Sequence, residues 1–250
     1  RTRLDRHRSR TLPQMTKETP PTGAIVEDRE DNSEEAIVIN TPSRTAAEWN
    51  VVDDQTVADH NPGYPADDPV VVVLHRGQFE QCLPLYSGGA LPLSRLYEAG
   101  IKYYAFPMSR LEVVDKLEAP TVPIDAIFPS PYHVRTFNAA DNREFIESIR
   151  EAGEPPGPVL VRVLQRSPLK LELLNGHKRT WAASVAGLEE VPVWTQHLIT
   201  DKEAARLWAC RHLPTYTAEQ RHSAVEQLQD QFGQSVATNI VADATDGGSI

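Results

Sequence analysis

The chain has 250 residues, of which 40% are apolar, and a formal net charge of −10 at pH 7. This length suits one large domain or two small ones, and the apolar fraction supports a buried core. No apolar run is long enough to cross a membrane and no secretory signal pattern opens the sequence, so we expect a soluble, cytoplasmic protein. The two cysteines, Cys82 and Cys210, are too few and too far apart for a disulfide framework or a zinc knuckle.

The negative charge is unevenly distributed, because acidic residues are concentrated in the first third of the chain. Lysine is also scarce relative to arginine. This acidic, halophile-like composition is typical of proteins from salt-rich cells, where ions screen the repulsion between like charges. The net charge therefore does not exclude a nucleic-acid partner, although high salt also weakens contacts to phosphate.

Residues 1–68 show no sustained hydrophobic period and are predicted to be a disordered arm and linker. The arm begins with an arginine-rich stretch, continues through an acidic segment at 27–35, and ends in a turn-rich segment at 61–68. One strand is expected within it, at 36–39. An arginine-rich terminus of this kind can contact nucleic acid, but more often it is a solvated tail.

Residues 69–118 are predicted to form a small β-α-β extension. An apolar run at 69–74 indicates a buried strand, 92–99 indicates a short helix, and 101–106 indicates an aromatic strand. Because this unit is too small to be stable alone, we expect it to extend the main sheet or to pack against it.

Residues 119–233 alternate strands and helices, and the segment after them, 234–250, is predicted to be a disordered tail. The predicted elements are a strand at 122–128, a helix from a capping box at 141–144 to Gly153, hairpin strands at 158–164 and 169–174, a helix between Gly176 and Gly187, a strand at 191–199, and helices from capping boxes at 200–203 and 217–220 that end near His212 and Phe232.

The run Gly176-His177-Lys178-Arg179 is the candidate functional motif, because it puts three basic residues in the first turn of a helix. A helix N-terminus already carries partial positive charge and unpaired amides, so added cations indicate an anion site. The alternative is a surface helix with solvated basic residues. The anion-site hypothesis predicts a concave surface here. It also predicts that the empty protein tolerates replacement of Arg179 by alanine.

The same run begins a family resemblance. It is followed by Ala182-Ala183, Ala186-Gly187-Leu188 and Glu190-Val191-Pro192-Val193, and preceded by the box Ser130-Pro131-Tyr132-His133-Val134-Arg135. This layout resembles the ParB N-terminal domain of the ParB/sulfiredoxin-like superfamily, which has Gly-Glu-Arg-Arg and Asn-Pro-Tyr-Gln-Pro-Arg at these places. His177 stands where that family has Glu. The family's triphosphate-holding Glu-Asn-x-x-Arg box corresponds here to residues 211–215, which include Arg211 and His212 but neither the acid nor the Asn.

The resemblance implies an α/β (α+β) fold with a small mixed sheet and flanking helices. It also implies a module that binds a nucleoside triphosphate, such as CTP, with Mg²⁺ and that acts with DNA or a DNA-bound partner, by binding and not by catalysis. The phosphate-binding residues that it implies are Gly176, His177, Lys178, Arg179 and Arg135. No metal-ligating residues are predicted, and no helix-turn-helix is recognised, so sequence-specific DNA binding is not expected of this chain alone.

Two other functions remain open. The first is a ParB-like phosphotransferase, such as a small-molecule kinase, or a nuclease that uses the same phosphate pocket. It would need a carboxylate, and Asn175 stands where the kinases have one, which leaves Glu172 or Asp141. The second is a degenerate domain kept for protein contacts. Sulfiredoxin chemistry is excluded because the motif lacks its cysteine. Arg135 also has an alternative role, in a salt bridge to a helix acid such as Glu147.

Overall fold

The computed structural model describes residues 19–31, 34–52, 54–83 and 85–245. The arginine-rich stretch and the end of the predicted tail, at 246–250, lie outside these ranges. The strands are β1 (Ala24–Asp28), β2 (Ala36–Asn40), β3 (Asn50–Val52), β4 (Gln55–Thr56), β5 (Val70–His75), β6 (Tyr104–Pro107), β7 (Leu111–Lys116), β8 (Thr121–Pro123), β9 (Ile127–Pro129), β10 (Val159–Arg166), β11 (Leu169–Asn175) and β12 (Glu190–Gln196). The helices are α1 (Val57–His60), α2 (Arg76–Cys82), α3 (Leu93–Glu98), α4 (Arg143–Ala152), α5 (His177–Ala186), α6 (Asp201–His212), α7 (Ala218–Phe232) and α8 (Gln234–Thr245).

The first sheet has five antiparallel strands in the order β6-β5-β2-β1-β7. Alternate side chains of its central strands enter two separate hydrophobic clusters, so the sheet is buried on both faces. In β5, for example, Val70, Val72 and Leu74 belong to one cluster, and Val71 and Val73 belong to the other. A continuous apolar run is what such a doubly covered strand requires.

The prediction of a disordered arm at 1–68 is wrong for the part of it that the structure describes. β1 and β2 are inner strands of the first sheet, and β2 confirms the strand expected at 36–39. The acidic segment fails as a signal of disorder because its second carboxylate, that of Asp28, has a partner that is distant in sequence. Both carboxylate oxygens of Asp28 accept hydrogen bonds from Arg110, at 2.8 and 2.6 Å.

The predicted β-α-β extension is also different from the structure. β5 and β6 pair directly and antiparallel, and with β1, β2 and β7 they complete a sheet of their own. They do not extend the second sheet. The sequence pattern identified both strands correctly but could not identify their neighbours, which lie in the supposed linker.

The second sheet is mixed, in the order β8-β12-β10-β11-β9. β10 pairs parallel with β12 and antiparallel with β11, while β11 pairs parallel with β9. Helices α4 and α5 cover one face through Ile146, Ile149, Ala182 and Ala183. This arrangement confirms the predicted α+β fold with a small mixed sheet and flanking helices.

Most predicted helix boundaries in this half are confirmed. The capping boxes Thr200–Glu203 and Thr217–Gln220 both form. The prediction is wrong at α4, because the box at 141–144 does not form and Asn142 caps the helix without a side-chain hydrogen bond.

The predicted disordered tail is wrong up to residue 245, because α8 occupies 234–245. Ala237, Ile240 and Ala244 are buried against α6 and α7, in a cluster that contains Tyr132 and Trp208. These apolar residues lie at helical spacing, a signal that the small size of alanine conceals.

The two sheets are joined by a bidentate ion pair. Arg95 on α3 donates to the two carboxylate oxygens of Glu203 on α6, at 2.7 and 2.6 Å, and also to the carbonyl of Leu198. This hydrogen bonding lowers the pKa of Glu203 to about 2. None of the described helices has the length and hydrophobicity to span a bilayer.

Candidate functional site

The candidate motif lies where β11 ends and α5 begins, as the sequence predicts. Gly176 has φ of +100°, and a Cβ there would lie 2.7 Å from Cγ1 of Val159. Both facts require glycine, because other residues rarely adopt this conformation and a side chain would overlap β10. The amide of Gly176 donates to Oδ1 of Asn175 at 2.9 Å, which closes the turn.

Lys178 is the exposed cation of the motif. Its Nζ lies 5.0 Å from the centre of the Phe145 ring on α4, a cation–π contact that holds the ammonium near the start of α5. The first amides of a helix have no intrahelical acceptor, so charge and hydrogen-bond donors coincide here. Lys178 is thus exposed at the start of α5, and its binding of an anion stays a prediction.

Arg179 points instead towards the segment before β10. Its Nη1 donates to the carbonyls of Gly157 and Pro158 at 2.9 and 2.7 Å, with Pro156 at 3.4 Å. Burial lowers the pKa of this guanidinium. These hydrogen bonds hold residues 156–158, the segment directly before β10, against α5. The sequence predicts that the empty protein tolerates Arg179→Ala. The geometry does not support this expectation, because the substitution removes these hydrogen bonds.

Arg135 is held by the connection between α6 and α7. It donates to the carbonyl of Thr215 and, at 3.2 Å, to its hydroxyl, and it lies 4.6 Å above the ring of Tyr216. The alternative partner considered from the sequence, Glu147, pairs with Arg150 instead. Arg135 thus contacts Thr215 and Tyr216, and it does not form the salt bridge to Glu147 that was considered from the sequence.

His177 is buried, with 6% of its surface exposed. Its ring stacks on that of His133, with centroids 3.6 Å apart and planes 6° from parallel, and lies 5.0 Å from the ring of His212. It faces the protein interior and not a concave surface. The prediction that all of the motif's cations face a pocket is wrong at this position.

The structure brings together three histidines that the sequence does not connect. His133 lies in the loop after β9, His177 begins α5, and His212 ends α6. One ring nitrogen from each lies within 4.8 Å of the others. The hydroxyl of Tyr216 lies 3.1 Å from Nδ1 of His133, and Nε2 of His212 lies 3.0 Å from the carbonyl oxygen of Leu174.

All three imidazoles are neutral at pH 7. Burial, followed by the neighbouring histidines, lowers the pKa of His177 to about 2. Burial is also the main cause that lowers the pKa values of His133 and His212 to about 4. The cluster therefore offers lone pairs and not positive charge, so His177 is a poor phosphate ligand as the chain is folded here.

One signal for this cluster was present in the sequence. Each of the three stretches compared with the ParB boxes contains a histidine, at 133, 177 and 212. If the three stretches lie side by side in the fold, the histidine that each of them contains can also lie close to the other two. Spacing alone could not reveal the cluster, because its members come from a loop, a helix start and a helix end.

The two acids considered for catalysis are not placed for it. Oε2 of Glu172 is bound by Arg162 at 2.6 and 2.5 Å, and Oε1 is 3.3 Å from the hydroxyl of Tyr132. Arg162 also binds Asp201, the first residue of α6, at 2.7 Å. Asp141 lies in an exposed turn before α4. Glu172 thus belongs to a buried network in which its oxygens are already bonded to Arg162 and Tyr132.

Comparison with known proteins gives one family match. The family model of the ParB N-terminal domain matches residues 110–209, which include β8 to β12, α4, α5 and most of α6. No curated protein matches the chain.

Two solved structures show partial likeness. The C-terminally truncated chromosome-partitioning protein ParB from Caulobacter crescentus, complexed with CTP-γ-S, is 24% identical over 53% of this chain and 72% of its own, with a TM-score of 0.34. The same protein complexed to the centromeric parS site is 20% identical over 50% of this chain and 70% of its own, with a TM-score of 0.32.

Proposed function

Because residues 110–209 form a ParB-like domain, we propose that this domain binds a nucleoside triphosphate and acts with DNA or a DNA-bound partner, by binding and not by catalysis. The observation that supports this most is the start of α5, which lies inside the matched region. There the exposed Lys178 adds a cation to the amides of the first turn of a helix, which have no intrahelical acceptor.

The phosphate-binding role belongs chiefly to Lys178 and to the amides of the first turn of α5. Arg135 contacts the connection between α6 and α7. It binds phosphate only when its guanidinium gives up its hydrogen bonds to Thr215. His177 and Arg179 support the site from behind, because both are engaged within the protein. CTP with Mg²⁺ is the first candidate ligand, since ParB of Caulobacter crescentus was solved with CTP-γ-S.

Binding is favoured over catalysis by the positions of the carboxylates. Phosphoryl transfer needs a base that contacts the nucleophile. The residue before the motif is Asn175, whose side chain accepts from the Gly176 amide, and Glu172 is bound by Arg162. The phosphotransferase hypothesis therefore lacks a free carboxylate at these two positions.

The proposal is tested by titrating CTP, ATP, GTP and UTP into the full chain, each with and without Mg²⁺. We expect one nucleotide to bind with a clear preference over the others. A protein that binds none of them up to millimolar concentration contradicts the proposal.

The DNA role is tested separately, by fluorescence anisotropy on labelled duplex DNA with and without the preferred nucleotide. We expect the nucleotide to change the apparent affinity, with salt weakening the complex. DNA binding that is absent in every condition would restrict the role to a DNA-bound protein partner, and nucleotide binding would still be measured independently.

A further inference from the structure

The three-histidine cluster has polar atoms that the fold leaves without partners. Within the described residues, both ring nitrogens of His177 and Nε2 of His133 are buried and make no hydrogen bond. Buried polar atoms are almost always satisfied, and leaving one unpaired costs about 1–3 kcal/mol. Such atoms converging on one point indicate that something else satisfies them.

We propose that His133, His177 and His212 bind one divalent transition-metal ion of the zinc class. Their ring nitrogens come within 4.8 Å of one another, and the three residues approach from three different elements. Imidazole nitrogen is the commonest protein ligand of such ions.

The hydrogen bonds around the cluster assign the ligand atoms. Nε2–H of His212 donates to the carbonyl of Leu174, so Nδ1 of this ring carries the lone pair. If Nδ1–H of His133 donates to the hydroxyl oxygen of Tyr216, its unpartnered Nε2 is the ligand. A metal-binding histidine usually has such a partner on its other nitrogen, because this fixes the tautomer and the ring orientation.

The donor set selects the ion. Imidazole nitrogens suit Zn²⁺, Co²⁺, Ni²⁺ and Cu²⁺, whereas Mg²⁺ and Ca²⁺ require oxygen ligands. Three protein ligands leave a fourth position for water or a small anion. No carboxylate belongs to the cluster and the cationic Arg135 lies over the adjacent Tyr216 ring, so a hydroxide or another anion is favoured in that position.

The stacked rings predict a movement on binding. An ion lies in the plane of each imidazole that ligates it, and the parallel rings of His133 and His177 are 3.6 Å apart. One ring must therefore turn about its Cβ–Cγ bond when the ion enters. His133 is the freer of the two, because it is half-buried and lies in a loop.

The competing interpretation is a purely aromatic cluster. His212 lies 5.2 Å from the ring of Trp208, and His133 lies 6.4 Å from that of Tyr216, so neutral rings could simply pack together. Packing alone satisfies neither ring nitrogen of His177, whereas a bound ion takes one of them. It also predicts no stoichiometric binding of a metal.

The test uses the untagged full chain, stripped with a chelator and titrated with Co²⁺ and then Zn²⁺. We expect one equivalent of Co²⁺ to give the strong visible absorption of a four-coordinate site, and Zn²⁺ to displace it. His133→Asn and His177→Asn should each weaken binding at least a hundredfold. The matched controls are His197→Asn, which is buried outside the cluster, and His222→Asn, which is exposed beside Glu226; both should bind as the parent does.

A milder variant tests the proposal even if the histidine variants do not fold. Tyr216→Phe keeps all three rings but removes the hydroxyl beside His133, and we expect it to weaken metal binding about tenfold or more. Zn²⁺ should also raise the melting temperature of the parent and not that of His133→Asn. The proposal fails if the folded parent takes up no ion stoichiometrically, or if a control variant loses as much affinity as His177→Asn. Nucleotide is absent throughout, so this result is independent of the proposed function.

Discussion

At the residue scale, glycine is the least replaceable residue of the motif. Gly176→Ala must adopt a positive φ and must also overlap Val159, whereas Gly187→Ala, at the end of α5, meets a positive φ alone with no atom within 4 Å. We expect Gly187→Ala to lower the free energy of unfolding by about 1–2 kcal/mol and Gly176→Ala by clearly more. Urea unfolding of the two variants measures the difference, and equal losses would show that Val159 moves aside freely.

The residue scale is also where sequence reasoning was least complete. The Asn175-Gly176 turn and the helix that follows it are local features, so the pattern predicted both. The direction of each basic side chain depends on what packs around it. His177 meets His133 and Arg179 meets carbonyls of distant residues, and no local pattern contains those contacts.

At the scale of elements, the network around Glu172 joins two strands to a helix. Glu172→Gln leaves the buried Arg162 with only the exposed Asp201 as its charge partner, and we expect a loss of about 3 kcal/mol in the free energy of unfolding, the lower end of the range for breaking a buried pair. The control is Glu147→Gln, which breaks the exposed pair with Arg150 and should cost less than about 1 kcal/mol. Chemical denaturation measures both, and a tolerated Glu172→Gln would mean that water solvates Arg162.

Elements were predicted well where their partners are near in sequence. The hairpin of β10 and β11 and helices α5, α6 and α7 follow from turn residues and capping boxes. β1 and α8 were missed for a physical reason. β1 pairs with β7, which is the last strand of the first sheet in sequence, so no local pattern reveals the pairing. α8 buries mainly alanines, which add little to a hydrophobic period.

At the scale of the whole molecule, stability should depend on pH through a histidine between the two sheets. Burial lowers the pKa of His197 to about 4, and its ring lies 5.9 Å from that of Tyr86. The unfolded chain, with a pKa near 6.5, binds a proton at a higher pH than the folded one does. Stability is therefore full above about pH 6.5 and falls as the pH decreases towards 4.

We expect His197→Asn to remove part of this dependence, up to about 3 kcal/mol between pH 7 and pH 4. The histidine cluster contributes with the same sign, so the variant keeps a residual slope. His222→Asn, at an exposed position, serves as the control. Melting temperatures measured from pH 7 to pH 4 decide the matter, and parallel curves for the parent and His197→Asn would contradict the assignment.

The whole-molecule arrangement explains why a family pattern predicted only part of the chain. The matched residues, 110–209, contain the motif and the second sheet, whose strands are joined by local turns. The first sheet has four of its five strands outside that match, and the two sheets meet through pairs such as Arg95 and Glu203 that are remote in sequence. Contacts between residues so far apart in sequence cannot be predicted from a local pattern and are visible only in the folded structure.

The central claim, that the start of α5 holds a nucleotide, is tested most directly by calorimetric titration of CTP with Mg²⁺ into three proteins. These are the parent, Lys178→Ala, and Lys170→Ala, which removes an exposed lysine from β11. We predict that the parent binds one equivalent and that Lys178→Ala weakens binding about tenfold to a hundredfold, the loss expected for a hydrogen bond to a charged group. Lys170→Ala should bind as the parent does. Equal affinities of Lys178→Ala and the parent would contradict the claim.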